Sequence, residues 1–449
     1  MATFESIPIL DYSLSRSPST KQQFLDELKH ALLQTGFLYL SNTGIDETLL
    51  FEVQGYCKRF FELPEEEKRR LEMKNSPHFL GYSRLGNEIT KHCIDYREQI
   101  DLATELPAPS SSEPRYRQLR GPNQWPSESL IPGFRKTIET YIEQMTQLST
   151  DFTALIAEAI GLPKDAFERF FEGIGESQSG TQRQDKLKLV KYPDMRELEM
   201  EGDAAQGDSM LSSYLLQVPP HDSLQVQNAD GVWISCPPIA NTFVVAMGQG
   251  LEAITGGVVA STTHRVLSPS AGEGPRYSIP FFQGVSYDAK FEAMTVPEDV
   301  KALKKQVVGG DVEMTFRKDM FERLGEATLA NRVKSHTDVG EKWYPDILER
   351  LRKMGVAKDP SEKTSAQVEQ AEQASAPILV VPTVEDASEG SEKPKGRRRA
   401  PTIVIDKIEE APSYGEDPGP DGSLLRKEAY EKRKMDAEPD EVRYHSDAE

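Results

Sequence analysis

Between residues 187 and 282 the chain breaks into short runs rich in β-formers: LKLVKYP, SMLSSYLLQV, SLQVQN, GVWISC, NTFVVAMG, GVVASTTHRVL and RYSIPFF. Turn-forming clusters separate them: PPHD, NADG, PPIAN, GQG, TGG and SAGEGP. Pro, Gly, Asn and Asp punctuate a chain because they set or permit the backbone angles that turns require. Several short strands joined by regular turns predict an antiparallel β-sandwich or a double-stranded barrel. This pattern limits the fold more tightly than any other feature of the sequence.

The flanks read differently. SIPILDY is a short apolar strand, and a helix follows it with Ser19 or Thr20 as N-cap and Phe24, Leu28, Ala31 and Leu32 at helical spacing. GFLYLSN is again β-rich, and a helix is expected from Glu47 to Phe61. In FELPEEEKRRL a proline precedes three acids, which suits a helix start because anionic groups stabilise the positive end of the helix dipole. From 127 to 172, Ile138, Tyr141, Ile142, Met145, Leu148, Phe152, Leu155 and Ile156 keep a period near 3.6. GLP at 161–163 ends that helix, and KDAFERFFEGI is expected to start another. Helices return at 297–306 and 311–330. The expected segments are an N-terminal module at 1–125, a helical segment at 126–180, a β-core at 181–295, C-terminal helices at 296–354 and a tail at 355–449.

The tail is rich in Glu, Ser, Pro, Lys and Gly, and its aromatics are Tyr414, Tyr430 and Tyr444. Such a segment buries too little apolar surface to offset its ordering entropy, so it is expected to be disordered. Lys393–Arg399, KPKGRRR, has the composition of a nuclear-import patch, although basic runs in tails are more often simply solvated. The net charge of −20 argues against nucleic acid and anionic membrane as partners. No apolar stretch approaches about 18 residues, the length of a membrane span. Cys57, Cys93 and Cys236 are scattered, which fits a reducing compartment, and cytoplasmic localisation is expected.

Candidate chemistry gathers on the β-core. Tyr192 lies in KYP, Asp208 in QGDSML, His264 in STTHRVLSP, and Arg276 and Ser278 in RYS. Taken singly these are weak signals, since a histidine in a strand is more often structural than a ligand. Taken in this order, with IPILDY, GFLYLSNTGI, FFELPEEEK, HFLGYSRLGNEITKHCIDYREQIDL, LQVQNADGVWISC and STTHRVLSPSAGEGPRYSIPFF, residues 5 to 350 resemble the 2-oxoglutarate- and Fe(II)-dependent oxygenase superfamily. The likeness is to its isopenicillin N synthase-like branch, and most of all to fungal-type members.

The resemblance implies a mainly β fold with flanking helices and a double-stranded β-helix (jelly-roll, cupin-like) core. It implies Fe(II) on two histidines and one carboxylate, with open positions for 2-oxoglutarate and O₂. Asp208 matches the carboxylate and His264 the distal histidine. Arg276 and Ser278 match the pair that binds the far carboxylate of 2-oxoglutarate, and Tyr192 a residue that helps hold it. The expected reaction is hydroxylation, desaturation or ring formation on a small organic molecule.

The first histidine of the triad is the departure. Two residues before Asp208 stands Gln206. Either Gln206 replaces the ligand, or residues between Gly207 and Asp208 are missing from a His-x-Asp segment; the deletion is the favoured reading, because QG and DSML each match their side of the gap. His221 lies at the far end of an expected strand, about 30 Å along the chain path from Asp208 at 3.3 Å per residue, and is expected to sit in a turn. His336 and Asp338 form a literal His-x-Asp outside the β-core, and His92 belongs to the N-terminal module. A neutral amide is a poorer donor to iron than imidazole, so weakened iron binding is expected. The alternative reading is an impaired oxygenase scaffold that retains only binding.

Overall fold

The computed structural model describes residues 4–86, 89–90, 93–94, 96–171, 183–194, 204–206, 211–290, 292–303 and 321–357. The chain divides into two compact units, Met1–Ala371 and Glu372–Glu449. The second unit lies wholly outside the described residues, and with it the basic run Lys393–Arg399. Asp208 and His92 lie outside them as well.

In chain order the strands are β1 (Ile9–Asp11), β2 (Phe37–Ser41), β3 (Gly81–Ser83), β4 (Ile89–Thr90), β5 (Cys93–Ile94), β6 (Glu98–Ala103) and β7 (Lys186–Tyr192). Then follow β8 (Ala204–Gln206), β9 (Ser212–Val218), β10 (Leu224–Gln227), β11 (Trp233–Ser235), β12 (Phe243–Met247), β13 (His264–Val266) and β14 (Arg276–Phe282). Eight of them form one sheet in the order β1-β2-β12-β9-β14-β7-β6-β3, antiparallel except for the β1–β2 pair. Four form a smaller sheet, β11-β10-β13-β8, whose recorded pairs are all antiparallel. From β7 to β14 the strands alternate between the two sheets except at β10–β11, a hairpin within the smaller one, which is the connectivity of a double-stranded β-helix. The N-terminal residues add four strands to the larger sheet besides their helices.

The main helices are α1 (Lys21–Gln34), α2 (Glu47–Phe61), α3 (Glu65–Arg70) and α4 (Phe134–Ala159), followed by α5 (Gln249–Ile254) and α6 (Glu298–Lys301). The chain then forms α7 (Leu324–Ser335), α8 (Thr337–Trp343) and α9 (Pro345–Lys353). Helix α1 buries Phe24, Leu28, Ala31 and Leu32, the positions its spacing predicts. Thr20 is its N-cap, but the hydroxyl donates to Leu14 O at 2.7 Å instead of capping the helix. Asp46 caps α2 by accepting from Thr48 N at 2.7 Å. Glu65–Glu67 open α3 and Lys68–Arg70 close it, each set matched to the dipole end it faces.

Several local expectations change. Of the helix expected at 297–306, Glu298–Lys301 is helical among the described residues, and within 311–330 the described chain becomes helical at Leu324. KDAFERFFEGI forms only a single 3-10 turn, Glu168–Phe170, among the described residues, where Phe167 and Phe170 turn into the core. The stretch before His264 is mostly irregular, so β13 is three residues long. Helix α5 begins inside the GQG cluster that reads as a turn. In each case packing overrides a short local pattern.

Residues directly opposite on antiparallel strands share a face. One row across the larger sheet runs Leu38–Val245–Tyr214–Phe281–Leu187–Leu102, apolar throughout and part of the core formed with α1, α2 and α4. The opposite face looks toward the smaller sheet. There Tyr39, Val244, Leu215, Leu224, Val226 and Cys236 form a second core between the sheets.

Candidate active site

His264 opens β13 and pairs with Val226 of β10 on one side and with Gln206 of β8 on the other. Val226 is fully buried between the sheets. The His264 ring lies 5.3 Å from that of Phe37 on the larger sheet. Gly36 makes this approach possible: its φ is +65°, and a Cβ there would sit 2.2 Å from Ala260 O. His264 therefore faces the space between the sheets. The backbone of Gln206 is its direct cross-strand neighbour, at a Cα spacing of about 4.5–5.5 Å for such pairs.

Arg276, Ser278 and Tyr192 come together on the facing sheet. Arg276 of β14 pairs with Tyr192 of β7, and the guanidinium carbon lies 4.9 Å from the Tyr192 ring centre. Ser278, two residues along β14, points to the same face as Arg276 because strand side chains alternate. Arg276 is 1% exposed, and its Nη1 and Nη2 have no hydrogen-bond partner among the described residues. Burial lowers the guanidinium pKa from its usual range, with Tyr192 opposing the shift, yet arginine stays charged in proteins.

A buried, unpaired cation costs several kcal/mol on the scale of about 3–5 kcal/mol for breaking a buried ion pair. A sequence retains that cost where a ligand carboxylate completes the fork. The donor set thus fits 2-oxoglutarate.

Residues 183–285 match the family described as the 2OG-Fe(II) oxygenase superfamily. Residues 7–128 match the family described as "non-haem dioxygenase in morphine synthesis N-terminal". The chain is 57% identical over 364 residues to the 2-oxoglutarate-dependent dioxygenase frbJ of Dothideomycetidae sp. (strain 11243), covering 78% of this chain and 96% of the relative. The chain belongs to the 2-oxoglutarate- and Fe(II)-dependent dioxygenases.

Other relatives of this oxygenase agree. A homoarginine-6-hydroxylase of Glycine max is 31% identical, with 69% of this chain and 96% of the relative covered. A full-length Neurospora crassa protein, solved in complex with alpha-KG, superposes with TM-score 0.54 at 25% identity, over 67% of this chain and 93% of that one. A 2OG-Fe(II) oxygenase family protein from Caulobacter crescentus gives TM-score 0.54 at 25% identity, over 68% and 95%. The dioxygenase family uses Fe(II) and 2-oxoglutarate as cofactors and acts on small molecules with O₂.

The structure separates the remaining candidates. His221 lies in the irregular link between β9 and β10. His336 is buried at the α7–α8 junction, against the ring of Phe79 and near Arg332 Nη1 at 3.3 Å from its Nε2. It belongs to the packing of the C-terminal helices.

Sequence reading missed Gln217, Gln99 and Ser83. Gln217 is the direct partner of Ser278 on β9. Its Nε2 donates to Cys236 O at 2.9 Å, while its buried Oε1 has no partner among the described residues. The one available signal was a polar residue between the outward-facing Leu216 and Val218 in YLLQV.

Proposed function

We propose that this dioxygenase oxidises a small organic molecule between the two sheets of the jelly roll, by hydroxylation, desaturation or ring formation. Arg276 and Ser278 hold the far carboxylate of 2-oxoglutarate, and the Tyr192 ring steadies the guanidinium. His264 and Asp208 hold Fe(II), and Gln206 takes the place of the first histidine. When bound, the iron supplies the activation of O₂. The protein's part is to orient the cosubstrate, close the space to water and present the substrate.

The observation that carries this reading is Arg276: a buried guanidinium with two unpartnered nitrogens beside Tyr192 and Ser278. The register of Gln206 against His264 supports substitution over deletion, since it gives Gln206 the backbone position of a second donor beside the first. A neutral amide in that position weakens iron binding.

The test is Fe(II)-dependent conversion of 2-oxoglutarate to succinate by the full chain, together with calorimetric titration of 2-oxoglutarate. Binding and turnover support the oxygenase. Tight 2-oxoglutarate binding without succinate formation at saturating iron sinks the catalytic reading. In Gln206→His, iron affinity rises by about 10-fold or more, the scale on which ligand-sphere changes act. An unchanged affinity rejects Gln206 as the ligand position.

A further inference from the structure

Three of the unpartnered polar atoms share one row of the larger sheet. One row of direct register runs across five strands on the face that carries Arg276: Gln217 (β9), Ser278 (β14), Val190 (β7), Gln99 (β6) and Ser83 (β3). Gln217 Oε1, Gln99 Oε1 and Ser83 Oγ are all buried without a hydrogen-bond partner among the described residues. Gln99 and Ser83 are 1% and 2% exposed. Leaving such atoms unsatisfied costs about 1–3 kcal/mol each, so a cluster on one row calls for an explanation.

The far end of the row lies away from the cosubstrate anchor. At about 4.8 Å between strands, Gln99 is two strands from Ser278, roughly 10 Å, and Ser83 three strands, roughly 14 Å. Under the oxygenase reading, a 2-oxoglutarate anchored at Arg276 would extend toward His264 on the smaller sheet and leave the far end of this row to the substrate.

The chemistry of Gln99 is settled by its neighbour. Its Nε2 donates to Asp101 Oδ1 at 2.9 Å, and an ionised carboxylate only accepts, so Oε1 is the end left over as an acceptor. Asp101 is itself held by Arg332 of α7, whose Nη2 donates to Oδ2 at 2.8 Å, and Lys188 Nζ stands 3.7 Å from the same oxygen. Two cations beside this one carboxylate oppose a cationic guest.

We infer that Gln99 and Ser83 form the distal end of the substrate site and receive a neutral N–H or O–H donor of the substrate, such as an amide. Gln99 Oε1 accepts the donor, and Ser83 Oγ pairs with the adjoining polar atom. Asp101 and Arg332 are positioning residues that fix the Gln99 amide. This inference rests on the oxygenase reading of the same site.

The experiment uses the full chain with primary amides from propionamide to hexanamide, against carboxylates and alkylguanidines of the same length. Binding is read by saturation-transfer NMR, with and without 2-oxoglutarate. Amides bind in preference to both charged series. Gln99→Leu and Ser83→Ala weaken amide binding about 3- to 10-fold, the scale of one neutral hydrogen bond, and leave 2-oxoglutarate affinity unchanged. Ser83→Ala does not lower Tm, because it removes an unsatisfied atom. Amide affinity that is no better than that of the charged series, or unchanged in both variants, overturns the inference, as does a Tm lowered by Ser83→Ala. Loss of 2-oxoglutarate binding in the unaltered protein tells instead against the oxygenase reading, since amide binding is read separately.

Discussion

The two faces of the eight-stranded sheet handle polarity in opposite ways. The outer face, under α1, α2 and α4, is apolar along whole rows, and its buried charge is fully partnered. Glu98 there meets Lys68 Nζ at 2.9 Å, Lys191 Nζ at 3.1 Å and the Tyr82 hydroxyl at 2.7 Å. The inner face buries Arg276, Gln99, Gln217 and Ser83 with atoms left open. Among the described residues the outer face leaves one neutral group open, the Tyr214 hydroxyl, whereas the inner face leaves a guanidinium, two amide oxygens and a hydroxyl open, and that polarity suits a ligand. One sheet separates the two tasks because alternate residues of each strand belong to different faces.

The sharpest way to test the contrast is to damage the outer face. Phe281→Ala, at a fully buried position, costs about 3–5 kcal/mol by transfer and cavity terms, read as a fall in urea midpoint. A cost below about 1 kcal/mol would mean that the helices do not anchor this face.

Glu98→Gln comes next, at about 3 kcal/mol, because two lysines lose a buried counter-charge. Burial raises the carboxyl's pKa, but Tyr82, Lys68 and Lys191 lower it further, and the net shift is downward from 4.5. A depressed folded pKa means that the unfolded chain binds more protons as pH falls, so this contribution is complete above 4.5 and is lost as pH drops through the lower folded value. The variant therefore shows a shallower acid-induced loss of stability than the parent in urea titrations over that window. Parallel profiles would remove Glu98 from the account.

On the inner face the expectation reverses. Arg276→Met weakens 2-oxoglutarate binding about 100-fold, the equivalent of some 3 kcal/mol of charge-assisted bonds. It leaves the Tm of the ligand-free protein unchanged or higher, since an unpaired buried charge is gone. A lower Tm would show that Arg276 is structural. The smallest effect belongs to Val226→Ala, beside His264 in the core between the sheets. Two buried methyl groups and a small cavity cost about 2 kcal/mol, measured by thermal unfolding.

Much of this was legible along the chain. Strands β9, β10, β11, β12 and β14 lie within the runs that alternation and turn residues marked, β7 starts one residue before its run, and α2 has the expected ends, Glu47 and Phe61. His264, Arg276 and Ser278 stood out because they lie in or beside strands and carry their chemistry in local spacing. Elements of three residues, such as β8 and β13, give no period to read. The turn-like GQG hid α5 for a related reason, since six residues are too few to show a helical face.

Sequence alone determined the fold class, the family and the spacing that sets Arg276 and Ser278 on one strand face, because alternation, turn chemistry and residue spacing are local properties. Tertiary structure decided which residues stand beside these two. Ser83, Gln99, Ser278 and Gln217 come from distant parts of the chain and meet only through the register of five strands. Whether a buried polar atom has a partner depends on neighbours that no local pattern specifies. The same holds for Gln206: the sequence leaves both a substituted ligand and a deletion beside it open, and in the fold its backbone stands directly across from His264.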